Sequence, residues 1–135
     1  MKKLTVIAIN ENLDEVQGFI DAELEAVGCN MKVQLQIDVA VEELYTNICN
    51  YAYPKGEGTA EITIDTEGDP PVVEISLRDT GKPYNPLEKP DPDVDAEIED
   101  KQIGGLGIYM VKNSMDELKY EYTDGQNVNV IVKRL

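Results

Sequence analysis

Between Val33 and Ile48 the apolar residues Val33, Ile37, Ala40, Val41, Leu44 and Ile48 recur at three- and four-residue spacing. They form one stripe on a helix expected from about Met31 to Tyr51, which Pro54 and Gly56 end. A helix apolar along one stripe has to bury that stripe against something else. The flanking segments supply candidates. Lys2–Ile9 is rich in Val, Ile and Thr and reads as a strand. Asn10 is positioned to cap a helix over roughly 12–27, where Leu13, Val16, Ile20, Leu24 and Val27 keep helical spacing and Gly28 is the stop. After the long helix, Ala60, Ile62 and Ile64 alternate with Glu61, Thr63 and Asp65. The turn Gly68-Asp69-Pro70-Pro71 then leads into Val72–Leu77, so 59–66 and 72–77 read as an antiparallel hairpin. Residues 79–103 lack periodicity, carry Pro83, Pro86, Pro90 and Pro92, and are mostly acidic from Asp91 to Asp100. A loop of that length inside a small domain is usually functional; we read it as a lid. Helix formers resume after Gly107 through about Met115, and two strands, about 117–123 and 127–134, meet at Asp124-Gly125.

The chain reads as a single domain over 1–135, with no internal repeat and no linker. Its formal charge of −15 opposes non-specific nucleic-acid binding, which needs a basic stripe to displace counterions. The acidic surface suits solubility or a basic protein partner. With no histidine, the Ser-His-Asp triad, a Cys-His pair and histidine-ligated zinc are excluded, so a general base must be a carboxylate, a lysine or a tyrosine. Cys29 and Cys49 are expected to be free thiols, and the chain to be cytoplasmic. Its apolar runs are too short to cross a bilayer. Lys2-Lys3 before an apolar stretch hints at a leader, but the stretch is short and no small-residue cleavage site precedes Glu11–Glu15, so a first strand is the expectation.

Three short motifs carry chemistry. Glu43, Asn47 and Asn50 fall in one sector of the long helix, at the edge of its apolar stripe, where oxygen ligands suit a hard cation. Asp79-Thr80-Gly81 follows a strand, with a carboxylate able to accept from an amine and a glycine that permits close approach. Gly104-Gly105-Leu106-Gly107 enters a helix, where amides face an anion such as phosphate. The Gly-Lys-Ser/Thr ending of a P-loop is missing. Taken singly, each motif reads as ordinarily as a solvated helix flank or a plain turn.

In this order the three resemble the nucleotide-binding boxes of the GHKL ATPases. The wider runs Glu43–Asn47 with Tyr51–Pro54, Leu77–Pro86, and Gly104–Ile108 with Met115-Asp116-Glu117 are similar to the anti-sigma factor serine kinases, over the whole chain. The resemblance implies an α/β (α+β) two-layer sandwich, a mixed and mostly antiparallel sheet with helices on one face. It implies ATP and Mg²⁺ as cofactors. Glu43 would be the general base, Asn47 the Mg²⁺ ligand with Asn50 nearby, and Asp79 the acceptor for the adenine amine. Gly81 would admit the base. Gly105, Leu106 and Gly107 would form the phosphate turn, with Gly104 as the hinge of the lid, and Lys82 or Lys101 the nearest cations. Asn127 stands in the strand where these proteins often carry a threonine near adenine, and Ile103 where some carry an arginine. The implied activity is transfer to a serine of a STAS-type anti-anti-sigma partner, with a sigma factor as the second partner and a homodimer as the common assembly. The competing reading is an ATP- or ADP-holding docking module.

Overall fold

The computed structural model describes residues 1–88 and 103–135, the side chains of 103–106 excepted. Five strands form one sheet: β1 (Lys2–Ile7), β2 (Thr59–Glu67), β3 (Val72–Asp79), β4 (Glu117–Thr123) and β5 (Gln126–Arg134). Their spatial order is β1-β2-β3-β5-β4, and each neighbouring pair is antiparallel, so the sheet is antiparallel throughout rather than mixed. Three helices, α1 (Leu13–Ala26), α2 (Met31–Asn47) and α3 (Ile103–Ser114), cover one face. The two-layer α+β architecture is the one the resemblance implies.

Alternation explains the layers. Leu4, Ile62, Leu77 and Asn129 form one cross-strand row, and Val6, Ala60, Asp79 and Asn127 the next. The apolar members of these rows, with Ile64, Val73, Ile75 and Ile131, meet Val16, Ile20 and Leu24 of α1 and Ile37, Ala40, Val41 and Leu44 of α2 in one core. On the opposite sheet face Thr63 and Ser76 share a hydroxyl hydrogen bond, and Lys3 pairs with Glu61 at 3.7 Å. That face is polar along β1 to β3 apart from Ile7 and Val72, but on β5 it carries Val128, Val130 and Val132.

Local chemistry sets the ends. Gly28 has φ +73°, and the amides of Gly28 and Cys29 bond back to Glu25 O and Leu24 O at 3.1 and 3.0 Å, a Schellman stop to α1. Asp124 and Gly125, with φ of 53° and 75°, make the two-residue turn between β4 and β5. Asn10 does not cap α1: it opens a 3-10 turn, Asn10–Asn12, ahead of the helix. The side-chain cap appears instead at Asn30, whose Oδ1 accepts from Val33 N at 2.9 Å to start α2. The buried Tyr45 hydroxyl donates to Ile9 O at 2.7 Å and ties α2 to the chain leaving β1.

Candidate functional site

The site begins where α2 stops being an α-helix. Ile48–Ala52 continue it as a wider π-helical turn, a local distortion frequent at functional sites. Its last carbonyl, Ala52 O, accepts from Lys82 N at 2.7 Å and pulls the loop after β3 against the helix. A Cβ at Gly81 would lie 2.3 Å from that same carbonyl oxygen, so the approach requires glycine.

Asp79 is the last residue of β3 and takes the inward position that Val73, Ile75 and Leu77 hold before it. It is 4% exposed. Its Oδ1 accepts from Gly81 N and from Asn127 Nδ2, both at 2.9 Å. Burial pushes its pKa up, and the bonds from Asn127 and Gly81 pull it partly back. Asn127 is its cross-strand partner on β5 and is 2% exposed. Asn127 Nδ2 also donates to Lys82 O at 2.9 Å, while its Oδ1 accepts from Tyr84 N at 3.0 Å and from the Tyr120 hydroxyl. Both amide hydrogens and both lone pairs of Asn127 are therefore engaged in holding Asp79, the 82–84 loop and β4 together.

Beside this hub lies a narrow cleft. Leu44, Ile48, Ala52 and Pro86 give it apolar walls; Asn47, Asp79, Asn127 and Asn129 give it polar ones, and Tyr84 borders it. The Tyr84 ring stacks on Tyr51 with centroids 5.0 Å apart and planes 15° from parallel. Among the described residues, Asn47 Nδ2 and Asn129 Oδ1 are buried without a hydrogen-bond partner. Such atoms cost free energy unless a ligand or water meets them.

Glu43 stands one turn before Asn47 on α2 and packs against α3: a Cβ on Gly107 would fall 2.3 Å from its carboxyl carbon. The structure thus joins Asn47, Asp79 and Asn127 at one cleft, holds Gly81 beside it against Ala52 and Asp79, and sets Glu43 against Gly107. It does not join everything. Asn50 is exposed and outside the cleft lining, because the π turn changes the angular step that put it in phase with Asn47. The Lys82 side chain is exposed, and only its backbone enters the hub. Gly104, Gly105 and Leu106 do not precede a helix; they lie within the first turn of α3, which starts at Ile103. Glycine disfavours a helix by only about 1 kcal/mol relative to alanine, and the close approach of α3 to Glu43 favours a small residue. The first-turn amides still lack intrahelical acceptors, so the anion-binding logic survives the shift. Lys101 and the lid expected over 79–103, beyond Glu88, lie outside the described residues up to Ile103. Sequence reading missed Asn129, Tyr84 and Tyr51 as neighbours of the cleft; the signal for Asn129 was its two-residue phase with buried Ile131.

Which residues would hold Mg²⁺ follows from the donors present. No group of three Asp, Glu or Cys side chains forms a cage among the described residues. Asn47 borders the cleft, and its side-chain oxygen is of the donor type a hard cation takes; its unpartnered Nδ2 is a hydrogen-bond donor that suits an acceptor atom of a ligand instead.

Residues 7–133 match the family model described as a histidine kinase-like ATPase domain. The chain is 30% identical over 96 residues to the serine-protein kinase RsbW of Listeria monocytogenes serovar 1/2a, covering 68% of this chain and 60% of that protein. It is 31% identical over 99 residues to RsbW of Listeria innocua serovar 6a, covering 68% and 60%. It is 25% identical over 96 residues to the serine/threonine-protein kinase BtrW of Bordetella bronchiseptica, covering 71% and 67%. The matched region spans about 60% of the length of the RsbW relatives. No described helix is long and apolar enough to cross a membrane. With the antiparallel sheet, its one-sided helices and a match over nearly the whole chain, the protein belongs to the histidine kinase-like ATPase domain family, alongside these serine-protein kinases.

Proposed function

We propose that this chain is an ATP-dependent protein serine/threonine kinase of anti-sigma type, which phosphorylates a serine of a STAS-class partner and sequesters a sigma factor. The observation that supports it most is the pairing of two features. Asp79 is fixed by Gly81 and Asn127 at the edge of a cleft with both apolar and polar walls, and a carboxylate, Glu43, stands one helical turn from Asn47.

Asp79 accepts from the adenine amine on the oxygen left over by its Gly81 and Asn127 bonds. Asn127 acts through Asp79 as a positioning residue. Asn47 would hold Mg²⁺ through its side-chain oxygen, and the ion would offset phosphate charge. The first-turn amides of α3 face the phosphates. The partner's serine Oγ forms a bond to the γ-phosphorus while the bond from that phosphorus to the β–γ bridging oxygen breaks, and ADP leaves. Glu43 takes the hydroxyl proton and later passes it to water.

Glu43→Gln keeps the shape and removes the base. It is expected to retain the Mg-ATP-induced rise in melting temperature and to lower transfer to the STAS partner by about 10²- to 10⁴-fold. Transfer at the wild-type rate would move the base elsewhere. Nucleotide binding with no transfer by the wild-type protein would favour the docking-module reading.

A further inference from the structure

The outer surface of the helical layer carries a feature that nucleotide binding does not use. Leu35, Gln36 and Val39 of α2 and Met110 and Ser114 of α3 border an open apolar groove. Leu35, Val39 and Met110 are 56%, 43% and 50% exposed, and Met31, one turn before Leu35, is 65% exposed. Large apolar side chains gathered in one exposed strip mark interaction surfaces more often than chance.

The groove has a direction. Val39 lies one turn before Glu43 on α2, and Met110 lies one turn after Gly107 on α3. Glu43 and Gly107 are in contact. Both walls therefore run to the Glu43–Gly107 contact, about one helical turn or ~5 Å beyond the apolar lining. The same exposed stripe of α2, Met31, Leu35 and Val39, continues to Glu42, an exposed carboxylate at that end. The groove is thus apolar along its length and acidic where it meets the candidate base.

We propose that the α2–α3 groove docks an amphipathic helix of a protein partner, apolar face inward, with a basic residue of that helix set against Glu42. Under the serine-kinase reading, on which this last step rests, the docked helix presents its acceptor hydroxyl to Glu43. A groove between two helices fits a third helix through side chains at i, i+3, i+4 and i+7. The exposed methionine at its wall adapts to a partner surface. A second copy of the chain is a poorer occupant: each carries −15, and an isologous contact would bring two acidic groove ends together.

The test uses the full chain and an 18-residue helical peptide with leucines on one face, lysines on the other and one serine at an end, labelled for fluorescence anisotropy at about 0.15 M salt. The same peptide with glutamates for lysines is the control. Leu35→Glu and Met110→Glu change exposed side chains, so the fold and the Mg-ATP melting shift are expected to stay as in wild type. Each is expected to weaken the lysine peptide at least tenfold, and Glu42→Lys to weaken the lysine peptide and strengthen the glutamate one. Equal affinity of wild type and both groove variants overturns the proposal. So does a wild-type dimer that Leu35→Glu dissociates on a sizing column, which would give the groove to a second copy. Anisotropy needs no nucleotide, so the two readings separate. If the groove variants lose the peptide while wild type transfers no phosphate to its serine, the docking surface stands and the kinase reading falls.

Discussion

At the residue scale, Gly107 is defined by what stands where its side chain would be. The Glu43 carboxyl fills that space, 2.3 Å from a built Cβ. The obstacle is the tip of a flexible side chain, so Gly107→Ala costs little in folding. Alanine's better helix propensity offsets much of the crowding, for a net change within about 1 kcal/mol. The carboxylate has to move aside, however, and a displacement of about 1 Å at a reacting group can cost ~10²-fold in rate. Gly107→Ala is therefore expected to melt in denaturant nearly as wild type does, and to transfer phosphate about 10²-fold more slowly at saturating Mg-ATP. Transfer at the wild-type rate would show that Glu43 is not held by this contact. Gly81 is the opposite case, since its neighbour is the Ala52 backbone, which cannot swing away. The sequence made Gly81 legible as a residue permitting close approach, and Gly107 only as part of a phosphate-facing turn. What they approach was not legible, because it depends on contacts between distant segments.

At the element scale, α1 and α2 meet with two carboxyls facing each other. Asp21 Oδ1 and Asp38 Oδ1 are both buried without a hydrogen-bond partner among the described residues. Burial first, and then the neighbouring Asp21 carboxyl, push Asp38 up from 3.8 to about 7. Between those values the folded protein holds a proton that the unfolded chain has released. Stability from this group is thus full below about pH 4 and lost as pH rises through about 7. Asp79, also raised by burial, acts with the same sign. Melting temperature is expected to fall across that window, and Asp38→Asn to flatten much of the fall; an unchanged slope in the variant would place the proton elsewhere. The helices themselves were legible from their apolar periods and from Gly28. The π turn was not, because nothing in Ile48–Ala52 departs from helical patterning, and with it went the phase of Asn50. The start of α3 was hidden for the reverse reason: three glycines argue against a helix that tertiary contacts nevertheless form.

At the scale of the whole molecule, alternation in β2 and β3 made the one-sided sheet readable, and the Asp124-Gly125 turn fixed the last hairpin. The strand order was not readable from local pattern. It sets β5 beside β3, so that Asn127 meets Asp79 across 48 positions of sequence. That long-range pairing turns a strand-end aspartate into a fixed acceptor, and it supports the central claim, an ATP site built on Asp79. Asp79→Asn isolates the claim. An asparagine Oδ1 keeps the bonds from Gly81 and Asn127, so the fold is retained, but its other atom becomes a donor facing the adenine amine. Titration calorimetry of Mg-ATP and Mg-GTP with both proteins is the direct measurement. The account predicts that wild type binds ATP and prefers it to GTP. The variant should lose about 10- to 100-fold in ATP affinity, as expected for about 1–3 kcal/mol from an unmatched donor, and shift its preference toward the guanine oxygen. A wild-type protein that binds neither nucleotide, or a variant with unchanged affinity and preference, would contradict it.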